Sequence, residues 1–371
     1  MVAPTSKKKQ SKSKSKSKPA RLIQGVLIVL LGLVMLIVLG GSKDEIENAT
    51  TTTTTTNGAG SNTLISMGHW DWHPMVRTQS GPGWQLWNAT APMILVDDHT
   101  KWAKCRWTTF KATNGQTAQM CVHYGDAVSR AIINRGRWAD CDILTQQFEE
   151  THPNKQHKIY MDVGANIGAC VLQMLFTTES PVIAFEPEPM NLFCLTNTIM
   201  RLEPRYRDRF LLFPFAVSDA PGTTQIQAQV GDMGNAFLGD VKAGDKDKRK
   251  DNNEEEEEEE EEKFKRSVQV PVEALDNVII ATAGEDIALM KLHAQGHECQ
   301  VLNGMPNLVT HIHAIHTEIY KTSLELQGCS SDAYMKQLEQ AGFEIQHKQK
   351  FLLDEEQQGK SEVLALNKNM K

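Results

Sequence analysis

From residue 158 onward, short apolar runs alternate with stretches whose apolar positions recur at helical spacing. That alternation predicts parallel strands wrapped by helices. Residues 157–162 read as a strand. Residues 165–176 read as a helix, with Ile167, Val171, Leu172 and Leu175 on its apolar side. The pattern repeats as strand 181–185, helix 190–200 and strand 209–216. Strands 287–292 and 313–320 then flank the segment 300–308, and a helix at 332–341 precedes a last pair of strands at 343–347 and 363–366. Five or more strands with intervening helices make a doubly wound, mainly parallel α/β sheet of Rossmann-like type.

The first 157 residues follow other rules. Residues 22–41 are twenty positions without a charge, about 30 Å as a helix and enough to cross a bilayer core. Residues 1–21 carry seven lysines and Arg21 with no acid, whereas Lys43 is outweighed by Asp44, Glu45 and Glu47. The positive-inside rule therefore leaves the tail in the cytosol and the rest of the chain on the lumenal side. The expectation is a type II signal anchor in a secretory-pathway membrane such as the Golgi. A cleaved signal peptide is the alternative, although the apolar run is long and no Ala-x-Ala follows. Residues 42–66, with an uninterrupted run from Thr50 to Thr56, read as a stalk, and 67–157, with all seven tryptophans, as a folded extension of the lumenal domain. Within it, residues 126–133 look helical. The domain proper spans 158–371, with a charged, solvated insertion at 242–266 that includes nine consecutive glutamates.

Charge and cysteines refine this picture. Without the basic tail, 31 basic residues face 46 acids, a balance that argues against a nucleic-acid groove. Asn48-Ala-Thr50 and Asn88-Ala-Thr90 are glycosylation sequons on the expected lumenal side. Of the seven cysteines, Cys105 and Cys121 flank an Asn114-Gly115 turn signal and are candidates for a cross-strand disulfide; separate buried thiols are the other reading.

The chemistry concentrates at strand ends. Asp162-Val-Gly164-Ala-Asn166-Ile-Gly168 follows the first strand with glycines where the backbone must turn tightly or approach a ligand. The spacing is not the GxGxxG of a pyrophosphate loop; an acid and an amide there suit the cationic amino-acid moiety of S-adenosylmethionine (SAM). Glu186, in Phe185-Glu-Pro-Glu-Pro189, ends the next strand where a carboxylate can accept from both hydroxyls of a ribose. Asp219 ends the third, where adenine would sit, with a turn or helix-capping role as the alternative.

Those motifs, with Met290-Lys-Leu-His-Ala-Gln-Gly-His-Glu298 and His316-Thr-Glu-Ile-Tyr320 in order, make residues 120–365 resemble the FkbM family of class I SAM-dependent methyltransferases. The resemblance implies O-methylation, often of hydroxyls on sugars or natural products. It carries Lys291 and Glu318 into the acceptor site. The family's Lys-x-Asp-x-Glu-Gly-x-Glu departs here, with His293 and Gln295 replacing the two acids. His293 could take the acceptor's proton, since an unperturbed imidazole near 6.5 suits that task; it could instead orient the acceptor, or mark a decayed site. His311, His313 and His316 share one strand region, but His316 faces the opposite way to the other two, and polar strand ends explain them without a metal. Two rivals remain. One is a type II glycosyltransferase using Asp140-Cys-Asp142 or Asp245-Lys-Asp247 as a metal-binding pair; the other is a non-catalytic binding protein on a methyltransferase fold.

Overall fold

The computed structural model describes residues 66–67, 70–71, 84–93, 104–151, 158–229, 232–238, 265–280, 286–347 and 360–370. They belong to a compact unit spanning 62–371. The expected tail, anchor and most of the stalk and insertion lie outside the described residues. Among those described, no helix is long and apolar enough to cross a membrane.

Two short strands, β1 (Ser66–Met67) and β2 (Trp70–Asp71), pair with each other. The hairpin β3 (Arg106–Lys111) and β4 (Thr117–Val122) turns through Gly115 at φ 88°, which only glycine adopts without strain. Helices α1 (Ala127–Arg135) and α2 (Asp142–Thr151) follow, α1 capped by Asp126 and ended by left-handed Gly136. The central sheet then builds from β5 (Ile159–Val163), β6 (Val182–Phe185) and β7 (Phe210–Phe213), with α3 (Ala169–Thr177) and α4 (Pro189–Ile199) between them. It resumes with β12 (Ile287–Leu292), β13 (Ala314–Tyr320), β14 (Phe343–His347) and β15 (Lys360–Asn367). Its order is β14-β15-β13-β12-β5-β6-β7. The five strands from β13 to β7 are parallel, while β15 runs antiparallel between β13 and β14. Strand order reverses between β5 and β12, the switch point outside which open α/β sheets bind ligands.

Alternation along the strands sorts the core into two faces. Tyr160, Val182, Ala184, Phe210, Leu212 and Leu364 pack against α3, α4 and the N-terminal hairpin and helices. Met161, Val163, Ile183, Phe185, Phe213 and Ile315 pack against α5 (Glu298–Asn303) and α6 (Ser331–Gln340). The expected extension is therefore continuous with one face of the sheet. Three disulfides occur among the described residues, Cys105–Cys121, Cys141–Cys170 and Cys299–Cys329, leaving Cys194 as a buried thiol. The first is the cross-strand pair read from the turn.

Two boundaries differ from the sequence reading for local reasons. The helix expected from 165 begins at Ala169, because Asn166 (φ 53°) and Gly168 (φ 91°) are left-handed and end the preceding turn. The strand expected over 209–216 breaks at Pro214, which has no N–H for a ladder. Ala216–Val217 (β8) joins a second sheet with β9 (Gly222–Gln229), β10 (Asp232–Leu238) and β11 (Lys265–Glu273). Lys265 and Arg266, the last described part of the charged stretch, are already paired in β11.

Candidate active site

Register aligns a polar row across one face of the sheet. Asp162 on β5 pairs with Lys291 on β12, and Lys291 pairs with His316 on β13. The Lys291 ammonium donates to Asp162 Oδ1 at 2.7 Å and to the Gly164 carbonyl at 2.8 Å, while the Tyr160 hydroxyl donates to Asp162 Oδ2 at 3.3 Å. Asp162 is fully buried. Burial pushes its carboxyl up, and the adjacent ammonium opposes that. Asp162 and Lys291, expected at cofactor and acceptor respectively, thus form one buried ion pair that anchors the glycine turn to the neighbouring strand.

The turn itself is tightly built. Gly164 has φ 82°, and a Cβ there would run into the His293 carbonyl oxygen, while a Cβ on Gly168 would run into Leu195. These glycines serve close packing, Gly164 against the end of β12 and Gly168 against α4, as much as ligand approach. Asn166 Oδ1 accepts from the Ile167 N–H at 2.6 Å.

Glu186, at the tip of β6, reaches across to this turn. Its Oε2 accepts from the Asn166 N–H at 2.7 Å, and its Oε1 accepts from the Glu188 N–H at 2.8 Å and from Asn191 Nδ2 at 3.2 Å. A carboxylate offers about four acceptor positions, so one remains for a ribose hydroxyl. The second expected hydroxyl contact requires displacing one of these donors. The turn, the carboxylate and the switch point fit the nucleoside half of SAM. Burial raises the Glu186 carboxyl to about 7 despite these donors. Only the ionised form accepts on both oxygens, so SAM affinity is expected to fall about 10-fold per pH unit below 7, with proton release near neutrality. Calorimetry in buffers of different ionisation enthalpy measures both.

Beyond β12, the acceptor candidates gather. The His293 ring stacks on His316 at 5.8 Å between centroids, and His316 Nδ1 meets Gln147 Oε1 of α2 at 2.9 Å. Glu298 shapes the loop that follows. Its Oε1 accepts from the Ala294 N–H at 2.9 Å and the Gly296 N–H at 3.3 Å, and burial raises its carboxyl to about 7. Gln295 occupies a left-handed φ of 52° beside Gly296 at 97°. Glu318, half-buried on β13, lies opposite Glu362 of β15. Burial, then the charges of Asp140 and Glu318, raise the Glu362 carboxyl to about 7. Glu362 and Gln147 escaped the sequence reading because they reach this region from β15 and α2, and no local motif marks either.

Asp219 is engaged by its own neighbours. Exposed past the end of β8, it accepts from Ser218 Oγ at 3.1 Å, and Ser218 Oγ also meets His297 Nε2 at 2.8 Å. It opens on a cavity of about 660 Å³ whose lining includes Gln300, Asn303 and Ser330 but none of Gly164, Asn166, Gly168 or Glu186. His311 and His313 turn away to Asp286, which Lys158 also contacts at 3.0 Å. No group of three or more potential ligands for a metal occurs among the described residues. Asp142 is paired with Arg137 at 3.2 Å, and Cys141 between the two aspartates is disulfide-bonded. Asp245 and Asp247 lie outside the described residues.

A parallel sheet reversing at β5/β12, with a glycine turn and a strand-tip carboxylate at the reversal, has the class I methyltransferase arrangement. Residues 162–345 match the family model of the methyltransferase FkbM domain. The chain carries a methyltransferase domain of that family and is a SAM-dependent methyltransferase. Among solved structures it is similar to a precorrin-6y C5,15-methyltransferase from Geobacter metallireducens GS-15, with 8% identity over 61% of this chain and 88% of that one and a TM-score of 0.33. It is also similar to an rRNA methylase from Streptococcus thermophilus, at 11% identity over 61% and 95% with a TM-score of 0.33. The N-terminal domain of EvdMO1, solved in the presence of SAH and D-fucose, gives 11%, 62%, 84% and 0.34. No curated protein matches the chain.

Proposed function

We propose that this methyltransferase O-methylates a hydroxyl-bearing acceptor, a glycan in the secretory-pathway lumen, behind a single-pass type II anchor. The observation that carries the reading is His293, an imidazole placed at the end of β12 beside the switch point and stacked on His316. SAM, when bound, supplies an electrophilic methyl group on a sulfonium. Glu186 would hold the ribose, and the turn 162–168 would line the approach to it. Asp162 and Lys291 fix that turn. His293 takes the proton of the attacking hydroxyl, a step that general-base catalysis accelerates by about 10²–10⁴-fold.

Three disulfides favour an oxidising compartment, and Asn88 sits exposed in a turn in which Thr90 donates to its side chain at 2.7 Å, as an accessible sequon requires. The basic tail and apolar run at 22–41 support the topology. With labelled SAM and a panel of free glycans, the full-length protein is expected to transfer label to hydroxyls. His293→Ala should lose about 100-fold in kcat with SAM affinity retained. Transfer to nitrogen or sulfur acceptors alone would contradict the assignment, and unchanged turnover in the variant would remove His293 as base.

A further inference from the structure

Behind Glu186 a chain of buried polar groups runs away from the cofactor turn and ends on sulfur. Asn191 Nδ2 donates to Glu186 Oε1, which orients the Asn191 carbonyl toward His123 Nε2 at 2.8 Å. An amide oxygen only accepts, so Nε2 carries the hydrogen and Nδ1 presents its lone pair. That Nδ1 lies 3.5 Å from the Cys194 thiol, and Cys194 Sγ lies 3.2 Å from Sγ of Cys121, one half of the Cys105–Cys121 disulfide. Cys194 and Cys121 are buried, whereas Cys105 is half-exposed. A thiol, a base aimed at it and a disulfide sulfur in contact are the three parts that thiol–disulfide exchange needs.

We propose that Cys194, His123 and the Cys105–Cys121 bridge form an intramolecular thiol–disulfide exchange site, which passes a thiol from the core to the surface. The Cys194 proton moves to His123 Nδ1, and the Cys194 sulfur bonds to Cys121 Sγ. The Cys121–Cys105 bond breaks, and Cys105 leaves as a thiolate that takes up the proton. One disulfide and one thiol are present before and after, so no oxidant or reductant is consumed. The product bridge joins β4 to α4, the helix whose first turn holds Asn191 against Glu186. Burial, then the charges of Asp126 and Glu188, hold the Cys194 thiol far above its ordinary range. The thiolate fraction is accordingly small and exchange slow at rest. Asp126, buried with Oδ2 lacking a hydrogen-bond partner, opposes charge on Cys194.

The full-length protein, incubated at mildly alkaline pH, quenched by acid, unfolded and blocked with N-ethylmaleimide, is mapped by mass spectrometry. The expected result is a Cys121–Cys194 peptide pair growing with time while label moves from Cys194 to Cys105. His123→Gln should slow that growth at least ~10-fold without changing the circular dichroism. In Cys105→Ser, treated with glutathione disulfide, Cys121 and Cys194 should pair with each other rather than form mixed disulfides. Label confined to Cys194 at every time, an unchanged rate in His123→Gln, or separate Cys121 and Cys194 thiols in Cys105→Ser would each overturn the proposal.

Discussion

Lys291→Met is expected to destabilise the protein by about 3–5 kcal/mol, because it strands a fully buried Asp162 carboxylate without its counter-charge. The loss should be read as a lower midpoint in thermal or urea unfolding of the variant beside the wild type. Asp162→Asn in the same chain should restore much of it, since the remaining amide carries no charge and can still accept from Tyr160 Oη at 3.3 Å. The double variant separates two roles for Lys291. If the lysine only anchors the turn, the stabilised double variant regains SAM binding. A lysine acting on the acceptor would leave the double variant stable and able to bind SAM, yet inactive.

Gly164→Ala should be at least as damaging, by a different route. Its Cβ would meet the His293 carbonyl, a backbone atom of β12's extension that cannot swing away, and φ 82° is strained for any L side chain. Relief requires β5 and β12 to part at the switch point, moving the Gly164 carbonyl off Lys291 and the turn off Glu186. The expected result is about 3 kcal/mol or more of lost stability and loss of measurable SAM binding by calorimetry. A folded Gly164→Ala protein with wild-type SAM affinity would show that the cofactor does not use this turn.

The parallel sheet was legible because buried strands carry uninterrupted apolar runs and their helices show a distinct period. β12 and β14 fall on the expected residues. The second sheet was not legible. β9 reads Gly-Thr-Thr-Gln-Ile-Gln-Ala-Gln, and among the described residues the second sheet's core is Ala216, Ile226, Leu238, Val270 and Val272 with Val268 packed against it, too little apolar periodicity to mark strands. At the site, local motifs located the turn and Glu186 but not their partners. Asp162 and Lys291 are 129 residues apart, and only strand register brings them within 2.7 Å. A carboxylate expected to face ligand is instead satisfied inside the protein. The same holds for Cys141 and Cys170, which a helix and a turn bring together with no signal in their spacing.

SAM is expected to bind at the switch point between β5 and β12, held through Glu186. Isothermal titration of the full-length protein with SAM and, separately, with UDP-sugars tests it most directly. The prediction is one SAM bound per chain, weakened at least ~10-fold in Glu186→Ala, with no heat from UDP-sugars. Binding of a UDP-sugar without SAM, or SAM affinity indifferent to Glu186, would contradict it.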